Sequence, residues 1–253
     1  MEGFRVVILA AGKGKRMGAE MPKVLVPVAG RPMIEHVLEA VKEAGVDEKP
    51  IVVVGHRMDQ VCTQVGARCE YVIQTVQLGT GHALQAAMQH LGSARYVLVL
   101  YGDHPFLSSR TIRHLAEAAS GTDAPVTLMT IRLPDFEEER RPFFDFGRIV
   151  RGADGRVERI VETRDASEEE RRILEVNPGY YCFDAAWLRE HIVRLGNANT
   201  QGEFYLTDLI GIAMQQGSPI HTVTVTNALE GMGVNTPEQL ALAEVVFEKR
   251  STE

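Results

Sequence analysis

Cysteine is scarce in this chain and is not paired: Cys62, Cys69 and Cys182 show no CxxC spacing. Neither a disulfide framework nor a cysteine-held zinc site is therefore indicated, and the thiols are expected to be reduced, as in the cytoplasm. A basic excess is also missing. Lys and Arg number 27 against 34 Asp and Glu, a formal net charge of -7. Nucleic-acid binding usually rests on a basic face that releases counterions, so no nucleic-acid partner is expected, and any bound phosphate belongs in a local basic pocket. Long apolar runs are absent too. The run over residues 6–11, behind Arg5, is too short for a signal segment with a cleavage site and far too short to span a bilayer, so no membrane partner is expected. Repeats and long low-complexity tracts do not occur. What is present is 253 residues, 45% hydrophobic and 24% charged, enough chain to bury a full core in one large domain.

The pattern along the chain alternates. Residues 6–10, Val-Val-Ile-Leu-Ala, form a β-branched apolar run of the kind buried on both faces of a parallel sheet. Pro32 opens an amphipathic helix over 32–44, with Gly45 just past its end. Strands over 51–54, 71–73, 96–100 and 126–133 then alternate with helices over 58–65, 80–91 and 109–119, which implies a doubly wound α/β layer. From about residue 134 the character changes. Asp154-Gly155 between two alternating runs signals a hairpin over 147–161. Ser167 with Glu170 reads as a capping box, and 177–183 reads as a strand. This stretch is expected to be a smaller β-rich lobe inserted across the mouth of the sheet. Helices over 185–195 and 205–215, a strand over 220–226 and a last helix from Pro237 complete the pattern.

Several segments combine residue types suited to phosphate chemistry. Gly12-Lys13-Gly14-Lys15-Arg16 follows the first strand, where open α/β sheets bind ligands; the glycines permit close backbone approach and the cations supply countercharge. The spacing is not GxxxxGK[ST], and GxGxxxG misses the dinucleotide fingerprint by one residue, which excludes a P-loop and disfavours a nicotinamide site. Lys23, pinned beside Pro22, reaches the same phosphates or is an ordinary surface lysine. Gly79, Thr80 and Gly81 lie at a helix N-terminus, where free amides grip a base or phosphate or where Thr80 simply caps a turn; His82 has no evident partner and reads as structural. Asp103 ends the 96–100 strand after Tyr101-Gly102, at the ligand edge. One carboxylate plus substrate phosphates is a usual way to hold magnesium. Asn235, before Thr236 and Pro237, is a turn residue or a second metal ligand.

Taken in order, LAAGKGKRM, PKVL, QLGTGHA, YGD, GRIVR, IVE, EVNPG, GEFYLTD and GVN resemble the N-acetylglucosamine-1-phosphate uridylyltransferase domain within the sugar-phosphate nucleotidyltransferase superfamily. The resemblance implies a Rossmann-like mixed α/β sheet with nucleotide-binding residues 1–133, a sugar-binding lobe over 134–183 and completion of the sheet over 184–253. It implies that Leu9, Ala10, Ala11, Gly12, Gln74, Gly79 and Thr80 contact the nucleotide, with Gln74 and Gly79 near the uracil, and that Arg16 and Lys23 are catalytic phosphate ligands. Tyr101, Gly102, Gly147, Glu162 and Asn177 would hold the sugar, and Asp103 with Asn235 would bind Mg²⁺. The implied substrates are UTP and a sugar 1-phosphate, N-acetylglucosamine 1-phosphate first, in a cytoplasmic monomer or small homo-oligomer. Glucose 1-phosphate with UTP or dTTP, and a non-catalytic sugar-nucleotide sensor, are the competing expectations. Departures from the family pattern surround the substrate pockets: Lys15 replaces the usual Thr, Phe146 the usual Tyr, Asn177-Pro178-Gly179 the usual NTG, and the connection through Glu137–Glu139 is longer and more acidic. Because the sequence stops at Glu253, before the family's β-helix acetyltransferase domain, no acetyltransferase activity is expected.

Overall fold

The computed structural model describes residues 1–12, 14, 17 and 21–252. β1 (Phe4–Leu9) is followed by the short antiparallel pair β2 (Pro27–Val28) and β3 (Arg31–Pro32) and by α1 (Met33–Ala44). Pro32 is the residue before the helix, and Gly45 ends it in the left-handed region at φ 64°. Next come β4 (Ile51–Val54), α2 (Met58–Val65), β5 (Glu70–Ile73), α3 (Thr80–Ala87), β6 (Tyr96–Tyr101), α4 (Ser109–Ser120) and β7 (Val126–Arg132). The helix expected to reach residue 91 tightens to a 3-10 turn at Met88–His90. β8 (Gly147–Arg151) and β9 (Val157–Val161) form the hairpin, α5 (Glu168–Arg171) carries the capping box, and β10 (Glu175–Asn177), β11 (Tyr181–Asp184), α6 (Ala185–His191), α7 (Asp208–Gln215), β12 (Ile220–Thr224) and α8 (Pro237–Thr252) follow.

The strands form one sheet in the order β5-β4-β1-β6-β11-β7-β10-β8-β9, with β12 also paired to β7. β5, β4, β1 and β6 are mutually parallel, as the alternation with helices requires. The β-rich segment after residue 134 does not stand apart from this layer: β8, β9 and β10 extend the main sheet antiparallel beyond β7. The strand expected over 177–183 is divided in two. Pro178 and Gly179, the latter at φ 85°, break it between β10 and β11, although both halves run antiparallel along the same edge of β7.

Every residue of β1 except Arg5 is buried, and its alternation sorts two cores. Val6 and Ile8 join the cluster packed by α1 and α4 on one face; Val7 and Leu9 join the cluster packed by α3, α6 and α7 on the other. A strand covered on both faces needs apolar residues at every position, which explains the unbroken run in the sequence. Among the described residues no helix is long and apolar enough to cross a membrane. Cys62, Cys69 and Cys182 are free thiols.

Candidate active site

β1 and β6 run in parallel register, with Leu9 opposite Tyr101, so the turn after each strand emerges at the same edge. There the chain opens a cleft of about 710 Å³ whose wall includes Leu9, Ala10, Ala11, Gly12 and Asp103. Lys23 enters it from a 3-10 turn, Lys23–Leu25, and is only 8% exposed. Its Nζ donates to Asp103 Oδ2 and, at 2.6 Å, to Asn235 Oδ1. Asn235 is brought in by the segment before α8, where Val234 N donates 3.0 Å to the Asp103 carbonyl. Gly14, at φ 60°, lies so near that a Cβ there would stand 2.8 Å from Lys23 Cβ. A buried ammonium without a counterion is costly, so these oxygens explain why Lys23 lies inside rather than on the surface. Burial pushes the Asp103 carboxyl up, but the Lys23 charge, the neighbouring His104 and the Lys23 hydrogen bond outweigh it and hold the group below the usual carboxylate range. A carboxylate oxygen and an amide carbonyl oxygen converging on a positive charge form a donor set that fits a hard divalent cation, with Lys23 Nζ as its stand-in.

The side expected to bind the nucleotide is built on β5 and α3. Gln74 is 3% exposed; its Nε2 donates to Gly79 O at 3.1 Å and to His82 Nδ1 at 3.0 Å. Because a carbonyl only accepts, the first bond identifies the nitrogen end of the amide and makes His82 Nδ1 the acceptor in the second. His82 thus has a partner after all, and orients Gln74. Gly79 is the N-cap of α3 at φ 110°, where a Cβ would come 2.6 Å from Phe204 O. Two expectations about this helix start are corrected. Thr80 is not the cap: its hydroxyl accepts from Leu206 N at 3.1 Å and is also hydrogen-bonded to Tyr101. Nor are the helix amides all free, since Gly81 N donates to Phe204 O at 2.8 Å.

Of the residues expected to hold a sugar, Tyr101 lines the cleft, whereas Gly102, Gly147, Glu162 and Asn177 are not part of its wall. Asn177 pairs with Gly147 across β10 and β8, and a Cβ on Gly147 would stand 3.5 Å from Glu162 Oε1. Glu162 accepts 3.1 Å from Thr207 Oγ1; desolvation, against that bond and with Asp208 and Asp165 nearby, raises its carboxyl above the usual value. Tyr101 packs where a Cβ on Gly179 would lie, and Gly102 sits beneath Val24 and Ala10. Asn177 is held inside its own turn: Nδ2 donates to Tyr181 Oη at 2.5 Å and Oδ1 accepts from Gly179 N at 3.0 Å.

Lys23, Asp103 and Asn235 therefore meet at one point, in a cleft whose wall also includes Gln74, Gly79, Thr80 and Tyr101. Lys13, Lys15 and Arg16, the expected phosphate ligands of the first loop, lie outside the described residues. Arg164, Gln201 and Glu203 also line the cleft. Arg164 Nη1 donates 2.8 Å to Gln201 Oε1, tying the segment before α7 to the end of β9. Sequence reasoning missed Arg164 and Gln201, and also His104, which stands 3.8 Å from Asp103; Glu203 falls within the GEFYLTD motif but has no expected role there.

A family model described as the MobA-like NTP transferase domain matches residues 6–176. The bifunctional protein GlmU of Enterococcus faecalis (strain ATCC 700802 / V583) is 40% identical over 254 residues, covering 100% of this chain and 54% of the relative. That of Trichlorobacter lovleyi (strain ATCC BAA-1151 / DSM 17278 / SZ) is 45% identical over 247 residues, covering 96% and 52%. The chain thus spans about half the length of the curated relatives it matches. Among solved structures, a Bacillus anthracis protein described as a glucose-1-phosphate thymidylyltransferase, in complex with a sucrose, superposes with a TM-score of 0.74 at 20% identity, covering 96% of this chain and 94% of that one. That likeness shows a shared fold.

Proposed function

Because the chain belongs to the MobA-like NTP transferase domain family, we propose that it transfers a uridylyl group from UTP to N-acetylglucosamine 1-phosphate, giving UDP-N-acetylglucosamine and pyrophosphate. The observation that carries this reading is the meeting of Lys23, Asp103 and Asn235 at the ligand edge of the sheet. A sugar-nucleotide sensor has no need of a buried cation seat at the edge of the sheet where the nucleotide would bind. The similarity to the two GlmU proteins over nearly the whole chain supports the choice of substrates.

The chemistry asks little covalent work of the protein. A phosphate oxygen of the sugar 1-phosphate attacks the α-phosphorus of UTP in line; a new P–O bond forms, the bond to the bridging oxygen of the β-phosphate breaks, and pyrophosphate leaves with that electron pair. The nucleophile is already an anion, so no side chain has to remove its proton. Holding two phosphate groups together is the main barrier, and Lys23, whose Nζ occupies the cation seat here, would turn to the phosphates when a metal takes that seat and meet them with its positive charge in a largely desolvated position. Asp103 and Asn235 would hold Mg²⁺, which when bound supplies further charge neutralisation. Gln74, its nitrogen committed to Gly79 and His82, presents its carbonyl oxygen as an acceptor for the N3–H of uracil, a donor that cytosine lacks. Glu162 and Gly147 offer the sugar an acceptor and a close-approach surface, and Arg16 would add a second phosphate ligand.

Pyrophosphate release by the purified protein tests this directly. UTP or dTTP is supplied with N-acetylglucosamine 1-phosphate, with glucose 1-phosphate or with no sugar, each with Mg²⁺ and again with EDTA. The expected outcome is release that requires metal and sugar phosphate together and is fastest with UTP and N-acetylglucosamine 1-phosphate. No release from folded protein with any pair would overturn the reading, and faster release with glucose 1-phosphate would replace the sugar.

A further inference from the structure

His104 follows Asp103 directly, and its ring is held on several sides. It stacks on Tyr101 with centroids 5.3 Å apart and meets the Tyr180 ring edge-on at 5.4 Å. Its Nδ1 lies 2.8 Å from Tyr180 Oη, and the Tyr180 hydroxyl lies 2.6 Å from Glu230 O. The single proton of Tyr180 goes to that carbonyl, which cannot donate, so Tyr180 Oη accepts from His104 Nδ1–H. In the neutral ring the proton is then on Nδ1, and Nε2 carries the lone pair. Nε2 stands 3.8 Å from Asp103 Oδ1 and has no hydrogen-bond partner among the described residues, although His104 is only 7% exposed. Lys23 holds the other carboxylate oxygen, Oδ2, so Nε2 and Oδ1 are left as two acceptors facing each other, an arrangement that a cation between them relieves. The backbone has also made room for the arrangement. A Cβ on Gly233 would stand 2.6 Å from His104 Nε2 and 3.3 Å from Asn235 Nδ2, so any larger residue would push the ring from its place beside Asn235.

From this geometry we propose that His104 Nε2 is a third protein ligand of the divalent cation held by Asp103 and Asn235. The site then offers two oxygens and an imidazole nitrogen, a set that tightens binding of Mn²⁺ and Co²⁺ relative to Mg²⁺. The inference rests on the functional reading only in placing a divalent cation on Asp103 and Asn235; it does not depend on which sugar or nucleotide is used.

The test is pulsed electron paramagnetic resonance of Mn²⁺ added to the full chain without substrates. Directly coordinated nitrogen-14 should modulate the signal, give way to a nitrogen-15 pattern in protein made with nitrogen-15 histidine, and vanish in His104→Gln. His104→Gln should weaken Mn²⁺ binding about tenfold or more and Mg²⁺ binding much less. Should His104→Gln fail to fold, Gly233→Ala, whose Cβ would stand 2.6 Å from His104 Nε2, should displace the ring and remove the histidine coupling in its place. Mn²⁺ bound without histidine nitrogen coupling, or no Mn²⁺ binding at all, overturns the proposal. The outcomes separate the two readings: coupling in a protein that releases no pyrophosphate refutes only the function, and turnover without coupling refutes only the ligand.

Discussion

Asp103 and Lys23 are each largely buried, with side chains 13% and 10% exposed, and each would be an uncompensated charge without the other. Such a pair is weak evidence of extra stability, because desolvation consumes most of its Coulomb gain, but it is a good way to fix a charge at a point. Its position at the end of β6 gives it a use. Asp103→Ala should abolish metal-dependent pyrophosphate release while leaving the circular dichroism spectrum unchanged, a loss of more than about 10²-fold in kcat by comparison with other preorganised charge sites. Lys23 tolerates the change in the folded state because its stem can turn its ammonium into the open cleft. Retained turnover at saturating Mg²⁺ would refute the assignment. At this scale the sequence was informative only where a residue had a position to announce it. Asp103 ends an apolar run and Asn235 precedes a helix, so both stood out; Lys23 alone reads as a surface residue. His104, Arg164 and Gln201 belong to no periodic pattern, and their nearness to the cleft arises only when β6, β9 and the segment before α7 are brought together.

Helix docking supplies a second kind of pair. Glu35, on α1, accepts from Arg68 Nη1 and Nη2 at 2.6 Å each and from Gln64 Nε2 at 3.3 Å, which ties α1 to α2 and the 3-10 turn that follows it. The Arg68 hydrogen bonds, opposed by burial and helped by Gln64, hold the Glu35 carboxyl below its usual value. A folded-state value below the unfolded one, about 4.3, means that the stabilisation is complete above that pH and is lost as the pH falls through the folded value. Arg68 is half exposed, so solvent screening limits the pair to about 1 kcal/mol despite its two-pronged geometry. Arg68→Ala should therefore lower the unfolding free energy by about that amount at pH 7, and the gap from the parent protein should close as the pH falls from about 4.3 through the lower folded-state value. A gap that stays constant into acid, measured by urea denaturation at each pH, would show that Arg68 acts by packing alone. Helices and strands of this size were legible because their periods are: α1 and α4 show apolar stripes, and β1 shows the continuous run of a strand buried on both faces. What was not legible was the detail of pairing. Pro178-Gly179 splits one expected strand, and Phe204 takes the Gly81 amide that α3 seemed to offer a ligand.

The path of the chain through the sheet decides what can fold alone. Read by motif, residues 1–133 are the expected nucleotide-binding part and residues 134–183 the expected sugar-binding lobe of one domain, which would make Leu133 the place to separate them. The strand order argues otherwise. β6 and β7 are not neighbours: β11 lies between them, antiparallel to both. β7 has β10 and β11 along one edge and β12 along the other, and all three strands come from beyond residue 174. Cut at 133, β7 would lose every ladder partner among the described residues, and Val126, Leu128, Met129 and Ile131, buried in the intact chain, would lose much of their cover. Unpaired strand edges with exposed apolar side chains favour aggregation over folding. A chain of residues 1–133 should therefore show no cooperative unfolding transition. Co-expression with residues 134–253 should restore one, together with pyrophosphate release, because β11 and β12 then complete the sheet. A cooperative transition from residues 1–133 alone would mean that β5, β4, β1 and β6 with their helices form a folding unit, and that β11 is an addition to that unit rather than the strand that holds the two halves of the sheet together.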